Sequence, residues 1–186
     1  AVGFGGRLGR GKEPKGGMVR LYRGNCAGAE IPHQNENGCN FFEQNHFKND
    51  KNAVSEVLAQ SHDAKQWVSV VRFSADGHTL AVGAHDCKIY IYDVTLEEDL
   101  AATSDGFRVA KSATLSLRCT FRKHNSVINH LDLSTNGRYM QSNCSAYELL
   151  FSDTSNGKQI TSASELKDVS WDSWTCTLGW PVQGVW

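Results

Sequence analysis

The sequence lacks most of the features that would point to a membrane protein, a disulfide-stapled domain or a common enzyme. No run approaches the roughly 18 apolar residues of a membrane span, so no membrane partner is expected. Its six cysteines (26, 39, 87, 119, 144 and 176) are scattered, with no C-x-x-C pair. The sequence shows no secretory signal pattern, and such thiols are expected to stay reduced in the cytosol. No G-x-S-x-G elbow places a serine beside a base, and no catalytic residue is assigned. A formal net charge of −1 gives no global pull toward nucleic acid. No stretch reads as a long amphipathic helix. What remains is 186 residues, 40% hydrophobic and 21% charged, the composition of an ordinary globular domain. The chain opens on the apolar Ala1-Val2-Gly3, without Met, and is expected to begin partway through a strand of something longer.

What is present is an internal repeat. Residues 67–93, WVSVVRFSADGHTLAVGAHDCKIYIYD, overlie residues 127–153, VINHLDLSTNGRYMQSNCSAYELLFSD, at an offset of 60. Phe73-Ser74 falls on Leu133-Ser134, Gly77 on Gly137, Leu80 on Met140, Ile89 and Ile91 on Leu149 and Phe151, and Asp93 on Asp153. Each unit has an alternating apolar strand, a glycine turn, a second strand, a tight turn and a third strand ending in Asp. Period-2 alternation with glycine or asparagine punctuation predicts short antiparallel strands.

This grammar is that of a WD-repeat blade, four strands ending in a Trp-Asp-like dipeptide, here degenerated to Tyr92-Asp93 and Ser152-Asp153. His62 stands before the first strand and Asp86 in the tight turn, which predicts a structural hydrogen bond between them. The second unit keeps His124, but Ser145-Ala146 replaces the acidic turn, so its histidine is expected to lack that bond. The fold class expected is all-β, a WD40-type β-propeller segment of about three to four blades. Its parts are a partial blade at 1–24 with a basic, Gly-rich loop, a polar insert at 25–53, a blade at 54–95, an inserted loop at 96–116, a blade at 117–161, and the start of a further blade at 162–186. Propellers typically have 4–8 blades, so this chain alone is not expected to close a ring.

Three further patterns invite chemistry. Gly6-Arg7-Leu8-Gly9-Arg10-Gly11-Lys12 approaches a phosphate-binding loop, but Glu13 replaces the hydroxyl that would bind magnesium. Pro14 and Gly16-Gly17 then break the helix that would hold the phosphate. Cys26, His33, Cys39 and His46 share one insert at spacings wider than those of common zinc modules. Neither pattern supports a cofactor or metal site, and no small-molecule substrate is expected. Trp171, Trp174, Trp180 and Trp186 are read as blade core rather than as a recognition surface.

The C-terminal run Trp171-Asp172-Ser173-Trp174-Thr175-Cys176-Thr177-Leu178-Gly179-Trp180-Pro181-Val182-Gln183-Gly184-Val185-Trp186 resembles the W-x-x-W-T-C-x-L-G signature of the echinoderm microtubule-associated protein-like family. Tyr147-Glu148-Leu149-Leu150 and Gly157-Lys158-Gln159-Ile160 are similar to further elements of that family. Ser152, the missing acidic turn residue and the two inserts depart from its pattern. The resemblance implies tandem fused propellers in a cytoskeletal protein, with tubulin, microtubules or neighbouring cytoskeletal proteins as partners. It implies a cytoplasmic location on microtubules, ciliary ones included. In several members an N-terminal coiled coil, absent from this sequence, supplies much of the binding.

Charge distribution suggests where such a contact would lie. Residues 1–23 hold six basic groups against one acid, while the remainder holds 13 basic and 19 acidic groups. Arg7, Arg10, Lys12 and Lys15 are therefore the candidate contacts for acidic carboxylates. The alternative is a generic WD-repeat scaffold that binds other proteins and never meets a microtubule.

Overall fold

The computed structural model describes residues 2–4, 16–22, 57–99 and 109–177. Eleven strands form three antiparallel sheets among these residues. The first sheet contains β1 (Val2–Phe4), β2 (Met18–Tyr22) and β3 (Val57–Ser61). The second runs in chain order through β4 (Val68–Phe73), β5 (Thr79–Ala84), β6 (Ile89–Asp99) and β7 (Val109–Phe121). The third does the same through β8 (Ile128–Leu133), β9 (Tyr139–Cys144), β10 (Leu149–Asp153) and β11 (Gln159–Ile160). These are propeller blades, and the fold is all-β as expected. The described sheets are open rather than closed on themselves.

The 60-residue repeat is a structural repeat. Val68 pairs with Ala84 as Ile128 pairs with Cys144, and both ladders slip one residue further on, at Val68/Val70 and Ile128/His130. Gly77 and Gly137 turn at φ 74° and 69°, a conformation that glycine adopts without a Cβ penalty. The tight turns carry matching left-handed residues, Cys87 at 64° and Tyr147 at 60°.

Alternation along the strands sends side chains to two separate cores. Leu80, Val82, Tyr90, Tyr92 and Val94 pack toward the first blade with Val19 and Leu21. Ala81, Ile89, Ile91 and Phe121 face the third blade with Ile128, Leu131, Leu133 and Met140. The middle blade is buried on both faces, which is why β5 is buried along its whole length. A third cluster joins Phe151 to Leu166 and Trp171.

The structure departs from the expected boundaries in two places. Residues 96–116 are not one loop: β6 continues to Asp99 and pairs with β7 from Val109 onward. Strand 117–121, placed by sequence at the head of the 117–161 unit, closes the preceding sheet as part of β7. Within 162–177, the described part of the segment expected to start a further blade, Trp171 makes an isolated bridge to Ser134. The insert at 25–53 and the basic loop lie outside the described residues.

Candidate functional site

Each full blade ties its entry turn to its tight turn with a carboxylate. In the second blade Asp86 accepts hydrogen bonds from the Lys65 backbone N–H at 3.1 Å and the Tyr90 hydroxyl at 2.6 Å. Burial, then the bond to Asp86, raises the Tyr90 phenol and keeps it a donor. The expected His62–Asp86 bond does not form: His62 is exposed and Asp86 turns to Tyr90 and Lys65. The repeat explains why, since the residue under His124 is Ala64, not His62.

The third blade makes the same tie with different residues. His124 is buried, with Nε2 2.8 Å from Ser142 Oγ and Nδ1 3.4 Å from Glu148 Oε2. Glu148 accepts from the Asn125 backbone N–H at 2.9 Å and from Asn125 Nδ2. The Cys144 thiol donates to Glu148 Oε2 at 3.1 Å. These bonds, led by the Asn125 N–H, hold the Glu148 carboxyl down at about 2. Burial pushes the His124 imidazole below its ordinary value, against the pull of Glu148. The expectation that this blade lacks a histidine–carboxylate tie is thus corrected. Glu148, two positions beyond the place equivalent to Asp86, supplies the carboxylate.

A second carboxylate anchors the C-terminal segment. Asp132 on β8 is fully buried. It accepts from Ser173 Oγ at 2.6 Å, Thr175 N at 2.9 Å, Thr175 Oγ1 at 2.8 Å and Cys176 N at 2.8 Å. Gln141 Nε2 adds a bond at 3.1 Å. Burial would raise this carboxyl, but the hydrogen bonds outweigh it and hold it below its ordinary value. Asp172 N donates to Leu133 O at 2.9 Å, so residues 170–176 lie along the free edge of β8. Burial, then Asp132, pushes the Cys176 thiol up, well away from reactive thiolate.

The tryptophans divide. Trp171 is buried, 6.4 Å from the Phe151 ring between centroids, whereas Trp174 is 60% exposed. Trp180 and Trp186 lie outside the described residues, as do Arg7, Arg10, Lys12, Lys15, Cys26, His33, Cys39 and His46. Tyr147, 90% exposed, stands at a cleft of about 290 Å³ with Glu148, Asn143 and Thr177.

Residues 171–176 are therefore the strap that Asp132 holds, and they are also the most distinctive sequence in the chain. A family model described as the echinoderm microtubule-associated protein second beta-propeller matches residues 42–186. The chain belongs to the echinoderm microtubule-associated protein-like family. It is 42% identical over 132 residues to human echinoderm microtubule-associated protein-like 3, covering 70% of this chain and 13% of that protein. The 77 kDa echinoderm microtubule-associated protein of Strongylocentrotus purpuratus is 40% identical over 131 residues, 70% of this chain and 17% of that protein. The chain thus spans well under a fifth of the length of these relatives. The β-propeller domain of Myceliophteria_thermophila Cps50 (Swd1) aligns with 56% of this chain and 30% of its own at 22% identity, with a TM-score of 0.44.

In this member of the family the W-T-C element has a physical reason. Thr175 and Cys176 present consecutive backbone N–H groups to one buried carboxylate, and the Thr175 hydroxyl adds a third donor. Sequence reasoning recognised the element but missed its partner. Asp132 is more than 40 positions away in sequence, and only the β8 edge brings the two together.

Proposed function

We propose that this chain is the propeller portion of a microtubule-associated scaffold, which docks on tubulin or on a neighbouring cytoskeletal protein through surface complementarity and without chemistry. The observation that carries the reading is the match of residues 42–186 to the second propeller of a family whose relatives are named for microtubule association. The ordered blades fit a rigid platform. Their polar groups, part-buried Asp86 and buried Asp132 and Ser142, are engaged in holding turns and edges.

The contact proposed is the basic loop, with Arg7, Arg10, Lys12 and Lys15 against acidic carboxylates. Such contacts are individually weak and screened by salt. Co-sedimentation of the intact protein with microtubules at low and at moderate salt tests the reading. Pelleting that falls as salt rises is expected. No pelleting at either salt removes the microtubule assignment and leaves a WD scaffold with another partner.

A further inference from the structure

One end of the three sheets carries an excess of positive charge. Each sheet is antiparallel, so the entry turns 62–67 and 122–127 lie at the same sheet end as the tight turns 85–88 and 145–148. Phe4, the last residue of β1, and Gly16, ahead of β2, lie at that end too. A Cβ at Gly16 would stand 2.7 Å from the Ala64 carbonyl oxygen, inside the first entry turn. The five connections at this end, 5–17, 62–67, 85–88, 122–127 and 145–148, hold eight basic and four acidic residues. The five at the opposite end, 23–56, 74–78, 100–108, 134–138 and 154–158, hold six basic and seven acidic residues.

The charges at the two ends are also disposed differently. The three described carboxylates of the basic end are held by uncharged donors. Asp63 accepts from Ser61 Oγ at 2.6 Å, Asp86 from the Lys65 N–H and the Tyr90 hydroxyl, and Glu148 from Asn125. The cations beside them, Lys65, Lys88, Arg122 and Lys123, form no ion pair among the described residues. Lys65, Arg122 and Lys123 are exposed and Lys88 is half-buried. Toward the opposite end Arg118 pairs with Asp93 and Arg138 with Asp153. Trp67 shares the first entry turn with Lys65 and is 39% exposed. Its carbonyl accepts from the His85 N–H at 2.8 Å, and its ring lies 5.8 Å from the His85 ring between centroids.

We propose that this rim of the blades binds an acidic peptide segment of a partner protein. Glutamate or aspartate side chains of the segment pair with Lys65, Lys88, Arg122 and Lys123, and their aliphatic stems pack on the exposed part of the Trp67 ring. No existing ion pair has to break for the segment to bind. A formal net charge of −1 opposes wrapping by a long polyanion such as nucleic acid, whereas a short acidic segment meets this rim alone. The ligand is defined by its carboxylates, so the proposal holds whether or not the partner is tubulin. It adds to the contact proposed for residues 7–15 a second set of cations on the blades themselves, next to the point where the chain returns at Gly16.

The test is fluorescence anisotropy of a labelled decaglutamate peptide titrated with the intact protein. Saturable binding at low salt that weakens as salt rises is expected. Arg122→Glu with Lys123→Glu is expected to weaken it about tenfold. Arg138→Glu with Lys158→Glu, an equal change of net charge at the opposite end, is expected to leave it unchanged. Trp67→Ala is expected to weaken binding at every salt concentration, because its contact is apolar. Circular dichroism of each variant establishes that it is folded. The assay contains no tubulin, so its failure is distinct from a failure of the pelleting assay. A peptide that does not bind, or equal weakening by the two double variants, overturns the proposal. Tighter binding of an oligothymidylate of equal charge also overturns it, and marks the rim as a nucleic-acid surface.

Discussion

Gly83 on β5 lies against Ile128 on β8 so closely that a Cβ at Gly83 would stand 2.7 Å from Ile128 Cγ2 and 2.7 Å from Val70 Cγ1. The second and third blades approach as they do because position 83 has no side chain. Gly83→Ala should force both β-branched neighbours out of place and cost about 1–3 kcal/mol. Gly83→Val should cost more. Denaturant unfolding of the intact protein measures both, and unchanged midpoints would mean that the interface is loosely packed.

The Asp132 strap predicts an acid-sensitive element. The folded carboxyl lies below its ordinary value of 3.8, so its contribution is complete above that value and is lost as pH falls toward the folded one. Asp132→Ala leaves buried N–H donors at Thr175 and Cys176 unpaired, at about 1–3 kcal/mol each. Amide protection at residues 175 and 176, taken relative to the intrinsic exchange rate at each pH, should fall both in Asp132→Ala and in wild type as pH drops below the ordinary carboxylate value.

Tyr90 and His62 separate two accounts of the second blade. Tyr90→Phe removes a donor to a carboxylate, worth about 1.5–3 kcal/mol. His62→Ala should change stability by no more than about 0.5 kcal/mol, because His62 is exposed and takes no part in the tie. A destabilising His62→Ala measured by denaturant unfolding would restore the histidine bond that the repeat pattern suggested.

Trp171→Ala should cost about 3–5 kcal/mol, as expected for a buried aromatic. Trp174→Ala should leave the melting transition in place, because its ring is mostly in solvent. Equal effects of the two would show that both tryptophans belong to the core.

The blades were legible in the sequence because their determinants are local: alternation, Gly77 and Gly137 at the turns, and a 60-residue recurrence that the strand registers follow. The outer half of the β6–β7 hairpin was not. Its described side chains include exposed Leu96, and Ser112 donates to Glu97 at 2.6 Å, so backbone pairing and polar bonds hold it with little more burial than that of Ala113. Hydrophobic periodicity is silent on such strands. The carboxylate ties were missed for another reason. Motif distance pointed to His62, while the offset of 60 places Ala64 under His124, and Glu148 reaches Asn125 from beyond the expected turn position. The fully buried Asp132 gave no local sign, because its donors come from a segment joined to it only in three dimensions.

The central claim concerns the docking of this propeller portion on microtubules, and charge reversal tests it most directly. The intact protein carrying Arg7→Glu, Arg10→Glu, Lys12→Glu and Lys15→Glu together should be compared with wild type by microtubule co-sedimentation at low salt. The account predicts that the wild type pellets and that the reversed loop loses most of that binding while the protein stays folded. Equal pelleting of the two would contradict the loop as the contact.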